Sequence, residues 1–131
     1  MQETDLMIGN YVKISDTHPS INHNQTTRVT AILENGFVMT DASYEPIHPH
    51  YIEPVPLTQE ILGRTGFRRN DFDYEISEDF LLSHGKYKEG YRLFVKDSND
   101  NDVHVTYVNH VHELQNICHA FGIDKEIKAE N

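Results

Sequence analysis

Arg28-Val29-Thr30-Ala31-Ile32-Leu33-Glu34-Asn35-Gly36-Phe37-Val38-Met39-Thr40 is the stretch that decides the fold class. Two runs rich in β-branched residues flank Asn35-Gly36, a dipeptide that tolerates positive φ, so it predicts a β-hairpin pairing 28–33 with 37–40. Working upstream, residues 15–27 carry turn formers and no apolar period, and read as a polar loop. Before it, Tyr11-Val12-Lys13-Ile14 reads as a strand preceded by a turn or bulge at Gly9-Asn10. Downstream, residues 45–56 hold Pro46, Pro49, Pro54 and Pro56. Proline lacks an amide donor, so this segment is expected as a short 3₁₀ turn or edge strand closing a small barrel.

The remainder changes character. Leu57-Thr58-Gln59-Glu60-Ile61-Leu62-Gly63-Arg64-Thr65-Gly66 predicts a short helix, with Thr58 as its cap, Leu57 and Leu62 as a hydrophobic staple and Gly66 as its stop. Phe72-Asp73-Tyr74-Glu75-Ile76 alternates apolar and acidic residues, the pattern of a half-buried strand. Residues 91–95 and 103–107 flank a polar loop and predict a second hairpin. Val111, Leu114, Ile117, Cys118 and Phe121 then mark one face of a helix over 110–121, with Asn109 as N-cap and Gly122 as stop. Residues 124–131 are charged and are expected to fray. The fold class expected is α+β. Residues 1–56 form an SH3-like β-barrel or hairpin unit, and residues 57–131 a helix, an antiparallel sheet and a C-terminal helix packed on it.

Composition narrows the function classes. The 131 residues, 37% of them hydrophobic, suffice for one modest core and exclude full disorder. No run of about 18 apolar residues is present, so no membrane span is expected. The acidic start, Glu3 and Asp5, does not suit a secretory leader, and the single Cys118 excludes an internal disulfide, so a cytoplasmic location is expected. Eleven Lys+Arg against 21 Asp+Glu give a net charge of −10, which argues against coating nucleic acid and suits a basic protein partner. Basic residues do cluster at Arg64, Arg68, Arg69, Lys86, Lys88 and Arg92. That cluster is either an anion patch or, as interleaved acids suggest, an ordinary mixed-sign face.

Three stretches carry a resemblance. They are Ile8-Gly9-Asn10-Tyr11-Val12, then Ile52-Glu53-Pro54-Val55-Pro56-Leu57-Thr58-Gln59-Glu60-Ile61-Leu62 with Gly66-Phe67, and Tyr107-Val108 with His112-Glu113-Leu114-Gln115-Asn116. Together they resemble an uncharacterised family of small proteins from prophages and mobile elements of gut Bacteroidetes. That family opens on IGN, carries IPLTEEIL…GF at its centre and closes on YVHxLQNLYFALTG. The chain departs from the pattern by inserting Asn109-His110-Val111 and by having Ile117-Cys118-His119 where aromatics are usual. The resemblance implies a phage-type accessory protein and names no catalytic residue.

Histidine is the compositional oddity, with nine in the chain. His48-Pro49-His50 and His110-Val111-His112 are both His-x-His units. On a strand such residues share a face and suit a metal; at a helix start they point about 200° apart. His112-Glu113 begins a zincin-like motif, but Asn116 stands where its second His is required. Cys118 on the apolar stripe reads as a buried, inert thiol. Asp97-Ser98-Asn99-Asp100-Asn101-Asp102 lacks the Gly and Glu of a calcium loop and reads as a hairpin turn. No phosphate-binding, dinucleotide-binding or nucleophile-elbow motif is present. These readings assign no catalytic residue, cofactor or metal. They favour a non-enzymatic interaction module whose groove is lined by Tyr11, Phe37, Tyr44 and Tyr51. The alternatives are a small metal-dependent hydrolase built on His48 and His50, or an acidic mimic of DNA. Any cleft is expected where His48, His50 and Tyr51 meet the C-terminal helix.

Overall fold

A computed structural model describes residues 6–19, 25–70, 73–84 and 90–129. The expected hairpin forms between β2 (Thr26–Ile32) and β3 (Val38–Thr40), with Val29 opposite Thr40 and Ile32 opposite Val38. In its turn the Leu33 carbonyl accepts from Gly36 N–H at 2.9 Å, and the Asn35 carboxamide oxygen accepts from Phe37 N–H at 3.1 Å. Only Gly36, at φ 87°, takes the left-handed conformation; Asn35 contributes its side chain instead. β1 (Tyr11–Ile14) pairs with β2 on one side and with β4 (Ile52–Pro54) on the other, giving the antiparallel order β3-β2-β1-β4. Alternate residues Val12, Ile14, Val29, Val38 and Ile52 point inward and pack with Leu6 and Ile47.

Of the barrel or hairpin unit expected over residues 1–56, the described residues form an open four-stranded sheet and no closed barrel. Its edges β3 and β4 have three residues each, too short to curl round and pair. Ile47 alone bridges to Val38 from beyond the sheet. The Pro-rich segment follows expectation, with a 3₁₀ turn at Pro49–Tyr51 leading into edge strand β4.

Helix α1 (Gln59–Thr65) starts where Thr58 Oγ1 accepts from Ile61 N–H at 3.2 Å, and ends on left-handed Gly66. Leu57 and Leu62 are both buried, as a staple requires. A five-stranded antiparallel meander follows: β5 (Arg68–Asn70), β6 (Asp73–Glu75), β7 (Phe80–Ser83), β8 (Tyr91–Lys96) and β9 (Asp102–Val108). The expected strand around Tyr74 and the 91–95/103–107 hairpin are both present. Phe72, expected in that strand, lies outside the described residues, as do Lys86 and Lys88. β5 and β7 were not anticipated. β5 is Arg-Arg-Asn, wholly exposed, and is a strand only because β6 pairs with it.

Helix α2 (Val111–Ala120) lays Val111, Leu114 and Cys118 into a core with Leu62, Leu82 and Leu93. Its N-cap is His110, one residue later than expected. Asn109 is held in place by its backbone, whose carbonyl accepts from Leu57 N–H at 2.9 Å and whose N–H donates to Glu113 Oε1 at 3.3 Å. The stop at Gly122 is a Schellman motif: Gly122 N–H reaches the His119 carbonyl at 3.3 Å, and Ile123 N–H the Cys118 carbonyl at 2.8 Å. The stop is the expected one, but the helix face is corrected at its C-terminal end, since Phe121 is the C-cap. Phe121 lies past the last turn, 55% exposed with its ring tilted against Phe80 at 4.6 Å, while Ile117 is half-buried.

The C-terminal segment does not fray through Ala129. Ile127 is 1% exposed in the core, and the Arg64 guanidinium donates to the Ala129 carbonyl at 3.0 Å. Apolar Ile127 within the charged run is enough to dock it.

The three family-like stretches meet at the joint between the two sheets. Gln115 Oε1 accepts from Tyr11 N–H at 2.8 Å, and Gln115 Nε2 donates to the Gly9 carbonyl at 3.1 Å. Asn10 Nδ2 donates to Asn116 Oδ1 at 2.9 Å, and Val111 N–H donates to the Val55 carbonyl at 2.9 Å.

Candidate interaction surface

Among the described strands β9 combines length with exposure. It has seven residues, and all but Val108 are exposed. Val103 is 47% exposed, Val105 56% and Tyr107 53%. β-Branched and aromatic residues among Asp102, His104 and Thr106 give this segment high strand propensity, and burial along it begins only at Val108, shortly before α2. The His104 ring lies 5.5 Å from Phe94 and 5.0 Å from Tyr107, extending the apolar surface onto the sheet. A bulge opposite Leu93 and Phe94 leaves Val105 without a partner in β8.

β9 is also an edge, and an edge strand presents unpaired N–H and C=O groups that invite another strand. Among the described residues the other three sheet edges are short, and two of them carry Pro or Arg. β3 and β4 have three residues each, β4 ending in Pro54, and β5 has three residues including Arg68 and Arg69. β9 carries no Lys, Arg or Pro. From Asp97 to Asp124 the sequence contains no Lys or Arg at all, against acidic Asp97, Asp100, Asp102, Glu113 and Asp124.

The residues singled out in the sequence are placed elsewhere. Tyr11 is buried at the joint with the Arg28 guanidinium 4.8 Å above its ring, while Tyr44 stands alone on a turn, fully exposed. Phe37 and Tyr51 therefore do not share a groove with them. They belong instead to a chain of rings on the first sheet: Phe37 to His48 at 5.1 Å, His50 to Tyr51 at 5.2 Å, and Tyr51 to His18 at 4.8 Å. His48 Nδ1 accepts from His50 N–H at 2.9 Å, which caps the 3₁₀ turn and turns one metal-ligating nitrogen inward. The rings of His110 and His112 stack at 5.8 Å rather than diverging, because His110 is extended and precedes the helix. His110 Nδ1 lies 2.7 Å from Glu113 Oε1, and His112 is buried. Among the described residues no group of three His, Cys, Asp or Glu side chains is arranged to hold a metal. Asp97 Oδ1 accepts from Asn99 N–H at 2.8 Å and Asn101 N–H at 2.9 Å, so the Asp-rich loop is a self-closed turn.

Of the basic cluster, Lys86 and Lys88 lie outside the described residues. Arg64 is engaged by Glu60 and the C-terminal segment, Arg69 lies 5.6 Å from the Tyr74 ring, and Arg68 pairs across the ladder with Glu75.

A cleft of about 320 Å³ opens at the joint, lined by Asn10, Arg28, Gln115, His119, Lys125 and Glu126 among others. It is not the cleft expected from the sequence. His48, His50 and Tyr51 sit beside the Ile14 end of β1, whereas α2 meets the Tyr11 end. The three residue steps from Tyr11 to Ile14, roughly 10 Å, separate them. Cys118 beside this cleft is 3% exposed, and burial pushes its thiol up to about 11, leaving it protonated and unreactive near neutrality.

Compared with known proteins, the chain matches no family model, no curated sequence and no solved structure.

Proposed function

We propose that this protein is a non-enzymatic interaction module, a cytoplasmic accessory protein of the phage or mobile-element type that its three motif stretches resemble. Its working surface is β9 with the adjoining rings of Phe94 and His104. One observation carries the reading: β9 is long, exposed and free of Lys, Arg and Pro, with Val103, Val105 and Tyr107 bare, while among the described residues the other three sheet edges are short and two of them carry Pro or Arg. A strand that is costly to leave bare is accounted for when a partner covers it.

The test is affinity capture from host lysate with tag-cleaved protein, comparing wild type with Val105→Lys/Tyr107→Lys. Retention of a partner by wild type and its loss in the double variant is the expected result. Capture that is indifferent to β9, or stoichiometric zinc or iron in protein purified without a tag, would overturn it and favour the metal-dependent hydrolase.

A further inference from the structure

We infer that the occupant of the β9 edge is an extended, lysine- or arginine-bearing segment of a partner protein, added to the second sheet as a sixth strand. This rests on the interaction-module reading and specifies the partner's chemistry. Strand addition draws affinity from main-chain hydrogen bonds and selectivity from alternate side chains. β9 supplies both, through its outward N–H and C=O groups and through the exposed Val103, Val105 and Tyr107. The bulge puts Tyr107 on the face of Arg92, Phe94 and His104 and Val103 on the opposite face, so an incoming strand would meet an apolar side chain on either side of the sheet.

The charge of the occupant follows from what surrounds the edge. Asp100 and Asp102 stand at the start of β9, and Asp97 is pinned beside them by two backbone N–H groups. Glu113 stands just past its end, in the first turn of α2. The basic residues nearest in sequence, Lys96 and Arg92, belong to β8 and stand opposite Asp102 and Tyr107 on its ladder, so the acidic excess beside the edge is carried by Asp97, Asp100 and Glu113. Monomeric proteins commonly guard an exposed edge with Lys; here that positive charge is missing and its place is bracketed by acids. A partner strand bringing Lys or Arg supplies it.

A second copy of the chain fits less well, because it brings a net charge of −10 against −10. Its one basic edge, β5, offers only three residues. A nucleic acid would meet the same repulsion. The bulge at Val105 divides the edge into Asp102–His104 and Thr106–Val108, so the incoming strand is held on two short ladders.

The experiment titrates two peptides of about ten residues, a strand length, into the isotopically labelled full chain. One alternates Val with Lys and the other Val with Glu. The expected result is binding of the Lys peptide at least tenfold tighter than the Glu peptide, weakened by salt, with amide shifts over residues 102–108. Val103→Lys and, separately, Tyr107→Lys should each reduce that binding at least fivefold. Each changes an exposed side chain, and the peptide comparison itself uses the unaltered chain. Equal affinity for both peptides, shifts centred elsewhere, or no binding would overturn the inference. So would a mass doubling of the protein alone in light scattering that is abolished by Val103→Lys, which would make a second copy the occupant. If lysate capture depends on β9 while the peptides show no charge preference, the charge rule fails and the module reading stands. If no capture depends on β9, the module reading itself fails.

Discussion

Asn10 and Gln115 show how a few polar side chains hold two sheets together. Asn10 is 3% exposed; its carboxamide accepts from Met7 N–H at 2.7 Å and donates to Asn116. Replacing it by Ala leaves partly buried partners unpaired, so Asn10→Ala should cost about 1–3 kcal/mol in denaturant melts. Asn35→Ala, in an exposed turn, should cost less than about 1 kcal/mol. Cys118 gives a pH prediction. The folded state keeps the thiol protonated to about 11, whereas an ordinary thiol ionises near 9.0. Between those values the unfolded chain binds fewer protons, so stability is intact below pH 9 and falls as pH rises toward 11. The slope from this group is at most about 1.4 kcal/mol per pH unit. Tyr91, raised by burial and by neighbouring Tyr74, acts in the same direction. Melts at stepped pH should show this decline, and Cys118→Ala should shallow it. At pH 8 the native thiol should resist alkylation until denaturant is added.

At the scale of elements, the two helices draw on different sources of stability. α1 has seven residues and depends on its ends, so Thr58→Ala should lower stability by about 1 kcal/mol. α2 depends on its buried face. Leu114→Ala should cost about 2–5 kcal/mol, the range for a fully buried leucine. Phe121→Ala should cost only about 0.5–1.5 kcal/mol, the worth of its ring contact with Phe80. Equal losses at the two positions would show that the helix runs beyond Ala120. The strands were legible in proportion to their alternation. Tyr74 between acids and Leu93 between Arg92 and Phe94 announce a buried face, whereas Arg68-Arg69-Asn70 carries no such signal.

For the molecule as a whole, the C-terminal segment is part of the fold. Ile127→Ala should destabilise by about 2–5 kcal/mol, a loss that a frayed tail would not show. Hydrogen exchange should separate the two sheets' margins. Amides in β1, paired on both sides, should exchange slowest, and the outward amides of Asp102–Tyr107 should exchange within the fastest structured class. Slowing of those amides on adding a partner strand would be the direct sign of occupancy.

Local chemistry in the sequence determined the turn at Asn35-Gly36, the Thr58 cap, the Gly122 stop, the edge role of the Pro-rich segment and the buried thiol. Each depends on residues within a few positions of one another. The α+β class followed from the switch between period-two and helical spacing. Only tertiary structure decided the rest. Whether four strands close into a barrel depends on the length of two edges, and β5 exists only because β6 lies beside it. His110 and His112 stack because one precedes the helix that holds the other. Above all, Val103-His104-Val105-Thr106-Tyr107 reads as half of an ordinary hairpin, and nothing in its own residues says that α2 will leave it bare. Exposure is a property of what packs against a strand, and along β9 burial begins only at Val108.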